Sequence, residues 1–519
     1  MLILASGFYS LPYLHFFNIN FFKESYLFLI IGTLFFLILN YIFRIRQIKS
    51  SKRKLSFLVE KRTKLISTQK EEIENQNKRI KLEKDKSDQL LLNVLPDHVV
   101  KELKQEGKVS IKKFVNSSVM FIDIVGFSHI AENYKPEYLV NKLNNLFTDF
   151  DEIIEKYHLE KIKTIGDAYL ATGGLGLDTK TNAIKCVLAA LEIQTLMENY
   201  KQQAIAKDNE YWSVRIGIHT GEVITGLLGV KRIAYDIFGS TVNIAERMQA
   251  NCEPWKVNIS EATYQQVKIF FNCSDRGKVA TKNTGKINMF FVNSLKYMYK
   301  NSDDKFANNW LMEILDFYSK SSLNYFALKS FVTNFLDEKL SSNLHYHGRN
   351  HTEYVLAAAV EICYHEKVTP EEFFILKTAV LFHDMGYIDQ YEDNESIGVN
   401  YAKNILPKYG YTDLQIKIIS KLILSTKVPQ KPKNILEKVI CDADLDYLGR
   451  EDFLKISDDF YKELKGYKYV QNKSQWDKIQ IDFLKKHTYF TDFSIKNRTS
   501  LKNKHLCLLY TSDAADDSL

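Results

Sequence analysis

Two groups of residues have the types and spacing to bind metal ions. The first centres on "FIDIVGFS" (121–128), where Asp123 interrupts an apolar run. A buried carboxylate is costly unless something pairs with it. Asp167 follows 44 residues later, in "KTIGDAYL". Two carboxylates at the ends of neighbouring strands can share divalent cations, and Gly126 and Gly166 would let backbone and ligand approach closely. Taken singly, each aspartate could equally cap a turn. The second group spans "YHGRNHTEYVL" (346–356), "LFHDMGY" (381–387) and "VICDADLDYLG" (439–449). Nitrogen and oxygen donors from His351, the adjacent His383–Asp384 pair and Asp444 suit a divalent transition metal.

These residues need elements to position them. "SVMFIDIV" reads as a strand, and "KPEYLVNKLNNLFTDFDEIIEKYH" as a helix with Leu139, Leu143, Leu146, Phe147, Phe150 and Ile154 on one face. "EKIKTIGDAYLATGG" reads as two strands joined at Gly166–Asp167. A helix around "AIKCVLAALEIQTLM" and a strand at "WSVRIGIHTG" follow. This β-α-β-β-α-β order predicts an α+β ferredoxin-like domain over 110–296. "KYMYKNSDDK" (296–305) reads as a polar linker. Only helical periodicity follows, which predicts an all-α domain over 306–500.

With 519 residues, 45% hydrophobic and 26% charged, the chain is expected to be globular and multidomain. The net charge of +7 rests partly on a basic cluster near the N-terminus, so nucleic acid is not an expected partner. Six scattered cysteines form no C-x-x-C pair, which argues against a disulfide framework and for a reducing compartment.

Residues 26–43, "YLFLIIGTLFFLILNYIF", carry no charge and are long enough to span a bilayer. "RIRQIKSSKRK" follows at once and places the C-terminal side in the cytoplasm. Residues 1–43 are therefore expected to hold one or two transmembrane segments in the cell (inner) membrane. A signal peptide fits less well, because the basic residues follow the apolar run. Over 44–96, Leu55, Leu58, Leu65, Ile66, Ile73 and Ile80 recur at heptad-like spacing with a shift near residue 65, which predicts a coiled coil with a stutter. The end, 505–519, including "CLLYTSDAADDSL", fits nothing before it and reads as a non-native tail.

"FIDIVGFS", "EKIKTIGDAYLATGG", "RIGIHTGEVITGLLG" and "YDIFGSTVNIAERM" occur in that order, and here the chain resembles the class III nucleotidyl cyclase catalytic domain. The resemblance implies that Asp123 and Asp167, with the Ile124 carbonyl, hold two Mg2+ or Mn2+ ions. Asn243 would position the ribose, and Arg247, four residues on, would steady charge on the α-phosphate. Lys282 matches the lysine that binds the terminal phosphates, although "VATKNTGKINMFF" departs from the usual glycine-rich pattern. Lys163 and Asp236 would read the base. Adenine offers an acceptor at N1 and a donor at its 6-amino group, matching a lysine and an aspartate. Guanine has the opposite polarity, and unpaired buried polar groups reject a wrong substrate strongly. ATP is therefore the expected substrate and cyclic AMP the product. The family's site lies between two catalytic domains, so a homodimer of this chain would hold two competent sites. The coiled coil would align them.

The helical part resembles the HD phosphohydrolase superfamily, with ligand pattern H…HD…D. His351, His383, Asp384 and Asp444 match a divalent-metal site, Asp442 being the rival for the last place. His347 is a candidate acid–base group. The glycine-tyrosine-proline mark of cyclic-di-GMP hydrolases is missing, since Gly386 and Tyr387 precede Ile388. Two competing readings are a catalytically silent nucleotide-sensing receptor and a phosphohydrolase regulated by its cyclase-like domain. The complete set of expected cyclase residues weighs against the first.

Overall fold

A computed structural model describes residues 19–516 except 177–178, 230–232, 282–284 and 304–305, with side chains over 26–510. The chain divides into two compact units between Val100 and Lys101.

In the first unit, α1 (Ile19–Leu92) is one helix of 74 residues. No proline and no glycine other than Gly32 interrupts it, and it stops four residues short of Pro96. It contains an 18-residue window of mean hydropathy 2.3, long and apolar enough to cross a membrane. The expected span and the expected coiled coil are thus one continuous rod. The heptad residues Leu55, Leu65, Ile73 and Ile80 are exposed on it. A further span within residues 1–18 lies outside the described residues. A short helix, α2 (Asp97–Glu106), follows.

The second unit begins with β1 (Lys112–Ile124), α3 (Phe127–Asn133), α4 (Pro136–Lys156), β2 (Glu160–Ile165), β3 (Ala168–Gly173), α5 (Asn182–Ala206) and β4 (Val214–Leu228). Their strands lie in the order β2-β3-β1-β4, the expected ferredoxin-like core. The sheet then extends beyond the sequence reading, through β5 (Ala234–Phe238), α6 (Ser240–Ala250), β6 (Val257–Ser260), α7 (Glu261–Val267), β7 (Phe271–Thr281) and β8 (Gly285–Leu295). β6, β8 and β7 continue the edge beyond β4, and β5 forms a hairpin with β4. The sheet is mixed, because β4 pairs β6 in parallel while its other pairings are antiparallel. On α4 the apolar face is as read: Leu146, Phe150 and Ile154 are buried, and Leu139, Leu143 and Phe147 pack against the same core.

The rest is helical: α8 (Asn309–Lys320), α9 (Tyr325–Lys339), α10 (Arg349–His365), α11 (Pro370–Phe382), α12 (Asn394–Ile405), α13 (Asp413–Ser425), α14 (Ile435–Asp444), α15 (Phe453–Gly466), α16 (Lys473–Lys486) and α17 (Asp492–Asp516). α17 runs past residue 505, and Leu506 and Leu509 pack into a cluster with Leu448 and Phe453.

The linker reading of 296–305 is corrected. Met298 and Tyr299 are buried, Tyr299 completely. Tyr299 packs on Phe270 at a ring separation of 5.2 Å and stacks on Trp310 at 5.6 Å. Two large apolar side chains in a polar-looking stretch are enough to bury it against its neighbours.

Candidate functional site

Asp123 ends β1 opposite Ala168 of β3 on one side and Arg215 of β4 on the other. Asp167 immediately precedes Ala168, in the β2–β3 turn, so the sheet register brings the two acids together. Gly126 and Gly166 have φ of 72° and 64°, and no atom lies within 4 Å of a Cβ built on either. Glycine is required there for left-handed backbone, the turn geometry that aims the carboxylates. Burial raises the Asp167 carboxyl above its ordinary value; its own backbone N–H pulls the other way, and the neighbouring Asp123 charge raises it further. An adjacent pair of carboxylates, one of them disfavoured as an anion by burial and by its neighbour, forms a natural oxygen site for divalent cations.

Sequence reasoning missed Arg215. Its Nε and its Nη2 both donate to Asp123 Oδ2 at 2.8 Å. Asp123 thus faces both a cation donor and its acidic neighbour. The signal lies in strand register, which places residue 215 beside residue 123 and is not written in either motif.

Lys163 and Asp236 are brought together as a direct ion pair between β2 and β5. The β4–β5 hairpin must curl back over the sheet to make this contact, and β1 carries an irregularity between Phe114 and Ser117 where it borders that hairpin. Asp236 Oδ1 is also held by the Ile237 N–H at 2.9 Å. On β2, Ile165 follows Lys163 by two residues, and on β5, Phe238 follows Asp236 by two, so each shares a strand face with its partner. Ile165, Phe238 and Ile224, the register partner of Phe238, are all exposed.

Asn243 and Arg247 lie on α6, Asn243 exposed and Arg247 half-buried. α6 can sit against β4 because the "RIGIHTG" motif presents backbone there. A Cβ on Gly217 would lie 1.9 Å from Gln249 N, and one on Gly221 would lie 2.6 Å from Thr241 Oγ1. Thr241 Oγ1 donates to Glu222 O at 2.6 Å, fixing the first turn of α6. No described contact joins the Asp123–Asp167 pair to Asn243 or Arg247. Lys282 lies outside the described residues.

In the helical region, His351 comes from α10, His383 and Asp384 from the end of α11, and Asp444 from the end of α14. His351 Nε2 lies 3.2 Å from Asp444 Oδ1 and 3.3 Å from Asp384 Oδ2. His383 Nε2 lies 3.1 Å from Asp384 Oδ2, 3.5 Å from Asp444 Oδ1 and 3.4 Å from His351 Nε2. An octahedral ion with donors at about 2.1 Å spaces neighbouring donors by about 3.0 Å, close to this set. His383 Nδ1 donates to Val380 O at 2.8 Å, which leaves the Nε2 lone pair for the cluster. Asp384 Oδ2 is buried without a hydrogen-bond partner despite its proximity to two imidazoles. These donors fit a divalent metal. Burial alone would lower His383, but Asp384 and Asp444 outweigh it and hold its pKa well up.

Asp442 is placed elsewhere. Its carboxylate accepts from Phe490 N, Thr491 N and Thr491 Oγ1 at 2.6 to 3.1 Å, anchoring the start of α17. His347 stacks on Tyr387 and pairs through Nδ1 with the fully buried Glu463. Glu463 also accepts from the Tyr346 and His347 N–H groups and the Tyr391 hydroxyl. A cavity of about 330 Å³ opens beside the cluster, lined by Tyr346, His347, Tyr387, Asp444 and Phe460 among others, with no lysine or arginine in its wall.

Residues 109–294 match the family model of the adenylate and guanylate cyclase catalytic domain. Guanylate cyclase soluble subunit beta-2 of Rattus norvegicus is 32% identical over 228 residues, 44% of this chain and 33% of that protein. Guanylate cyclase soluble subunit alpha-1 of Bos taurus is 34% identical over 196 residues, 38% of this chain and 28% of that protein. The chain spans about a third of the length of these relatives. Among solved structures, the guanylate cyclase domain of RhGC from Catenaria anguillulae in complex with GTP is 30% identical with a TM-score of 0.34, covering 36% of this chain and all of that one. The adenylyl cyclase CyaB from P. aeruginosa is 28% identical with a TM-score of 0.34, covering 36% of this chain and 98% of that one.

Proposed function

Residues 109–294 being a class III nucleotidyl cyclase catalytic domain, we propose that the chain is a membrane-anchored adenylate cyclase, converting ATP to 3′,5′-cyclic AMP and pyrophosphate in a homodimer. The observation that carries the choice of ATP is the Lys163–Asp236 pair. These two side chains meet directly, so a base edge that docks onto the pair finds one donor and one acceptor side by side. That polarity suits adenine N1 and its 6-amino group. The curated relatives named above are guanylate cyclases, while the similar solved structures include both a guanylate and an adenylyl cyclase, so similarity does not choose the base. The donor–acceptor match carries the choice, because a base of the wrong polarity would leave Lys163 and the partly buried Asp236 mispaired once it covers them.

The chain's own residues then divide the work. Asp123 and Asp167 hold the two divalent ions that class III cyclases use, which supply charge neutralisation at the attacking 3′-oxygen and the leaving pyrophosphate. The Ile124 carbonyl adds a ligand. Arg215 keeps Asp123 in one orientation. Asn243 orients the ribose and Arg247 steadies the α-phosphate with a permanent, forked charge; Lys282 takes the terminal phosphates. Cyclase domains act as dimers. The exposed Ile165, Ile224 and Phe238 beside the base-reading pair give such a dimer its apolar contact, with Asp123 and Asp167 contributed by the partner protomer. The apolar part of α1 crosses the membrane, and the basic residues after it keep the catalytic part cytoplasmic.

The test is turnover of ATP against GTP by the full chain across protein concentrations. ATP should be preferred and specific activity should rise with concentration. In the double variant Lys163→Glu, Asp236→Ser, the donor and acceptor are exchanged and preference should swing toward GTP. Equal use of both nucleotides by the wild type would remove the base assignment.

A second activity is favoured by the donor spacing around His351, His383, Asp384 and Asp444. We infer an HD-type phosphohydrolase site, the divalent ion supplying Lewis acidity toward a phosphate oxygen. Among the described residues the cavity on the Tyr387 side of the cluster has aromatic walls and no lysine or arginine, which suits a singly charged nucleotide such as the cyclase's own product. Absence of AMP after incubating the protein with cyclic AMP and manganese would exclude that substrate.

A further inference from the structure

A second cavity, of about 720 Å³, lies where the cyclase domain meets the helical region. Its wall holds five cationic side chains, Lys268 and Lys296 from the cyclase side and Lys329, Arg349 and Lys377 from the helical side, against two carboxylates, Asp337 and Glu353. Both carboxylates are taken: Glu353 accepts from Lys329 at 2.8 Å, and Asp337 pairs with Arg349. Lys268 donates to the neutral Gln265 side chain at 2.6 Å and lies over the Tyr264 ring, with no carboxylate paired to it among the described residues.

Lys377 is the informative member. It sits inside α11, it is 1% exposed, and its Nζ has no hydrogen-bond acceptor. Its neighbours are the faces of Tyr325 and Phe373, at 4.3 and 4.6 Å. Aromatic faces accommodate an ammonium but provide no counter-charge. A lysine buried without an anion is among the costlier arrangements a fold can keep. Burial and the neighbouring Lys329 and Lys296 charges depress its pKa well below the ordinary range, the expected response to a missing anion.

We propose that this cavity binds a condensed phosphate, either free pyrophosphate or the polyphosphate tail of a nucleotide, and that the ligand bridges the cyclase domain and the helical region. Three lysines, Lys268, Lys296 and Lys377, have no carboxylate partner among the described residues, and they come from both sides of the cavity; an anion arriving beside Lys377 would supply the missing counter-charge and favour its protonated form. A condensed phosphate carries several charges along an extended body and so can touch both sides at once. Orthophosphate is too compact to do so. The site is separate from both metal clusters and does not depend on the cyclase reaction.

The experiment is titration calorimetry on the full chain in detergent micelles, with EDTA present so that neither acidic cluster can hold phosphate through an ion. Pyrophosphate, ATP and orthophosphate are compared at matched ionic strength. One saturable site per chain is expected for pyrophosphate or ATP, and whichever binds more tightly identifies the source. Lys377→Met and Lys268→Ala should each weaken it by about tenfold or more, whereas Arg247→Ala, in the cyclase site, should leave it unchanged. Lys268 is half-buried at the rim, so its variant keeps the test valid if Lys377→Met fails to fold. Loss of binding in Arg247→Ala but not in the two lysine variants would overturn the proposal. So would equal affinity for orthophosphate, or no saturable binding of pyrophosphate or ATP at 1 mM.

Discussion

Gly217→Ala isolates what the "RIGIHTG" motif is for. A methyl group at residue 217 would stand 1.9 Å from Gln249 N and 2.5 Å from both Gln249 Cα and Met248 C. All three atoms are backbone of α6, so no side-chain rotation relieves the clash. Ordinary contact needs about 3.4 Å, and α6 must therefore back away from β4 by about 1.5 Å or tilt. Overpacking of this kind costs roughly 1–3 kcal/mol. The catalytic cost is larger in proportion, because α6 carries Asn243 and Arg247, and a 1 Å misplacement can lower a rate by about 100-fold. Urea unfolding followed by circular dichroism gives the first quantity and cyclic nucleotide formation at saturating ATP the second. Gly176→Ala is the control, since nothing lies within 4 Å of a Cβ there and no positive φ is needed. A Gly217→Ala protein with wild-type stability and wild-type turnover would refute the claim that glycine serves the close approach of α6. Lost stability with intact turnover would refute only the placement of Asn243 and Arg247.

Two more outcomes follow from buried titratable groups. Asp442→Ala should leave three donors unsatisfied and cost about 2–4 kcal/mol in urea unfolding, with metal content per folded chain unchanged; Asp444→Ala should lower metal content, measured by elemental analysis, with the smaller loss of stability in metal-free buffer. His219, lowered to about 4 by burial, is neutral in the folded chain near pH 7. Its unfolded value is about 6.5, so the unfolded state binds the proton first, and its contribution is complete above pH 6.5 and declines as the pH falls toward 4, by up to about 3 kcal/mol. Glu160, raised to about 7 by burial, acts in the opposite sense as the pH rises from 4.5 to 7. The informative quantity is therefore the difference between wild type and His219→Gln, which should shrink on acidification; a difference independent of pH would show that His219 does not titrate as argued.

How far the sequence carried depends on the kind of constraint. β1 and β3 were legible as short apolar runs, and α4 as an apolar face at helical period. β5 to β8 were not: β5 and β6 span only five and four residues, and the partly exposed β7 shows no clean apolar alternation. Asp123 and Asp167 stand out against apolar and glycine-rich surroundings. Arg215 does not, because its role depends on which residue faces it across a strand pair. Asp442 and Asp444 show the limit sharply. Two residues apart on a helix point about 200° apart, so one of them must turn from the histidines, but only the position of α17 determines which. The 296–305 stretch misled because its lysines and aspartates outnumber two buried side chains that decide its packing.

That joint also explains why the helical region and the cyclase domain fall within one compact unit. Tyr299 stacks on Trp310, and Trp310 packs on Tyr364 of α10 and Phe373 of α11, at 5.4 Å in each case. Trp310 Nε1 donates to Val368 O at 3.1 Å, tying the same corner. Lys180, just before α5, donates to Leu323 O at 2.9 Å on the far side of the junction. α11 therefore presents Phe373 to the joint and Lys377 to the basic cavity, and it ends at His383 in the metal-like cluster. A helix of this length moves as a rigid element, since interior packing leaves no room for independent shifts. Any ligand that draws Lys377 must act on the same rod that bears His383 and leans, through Trp310 and Tyr299, on Phe270 at the edge of the cyclase sheet.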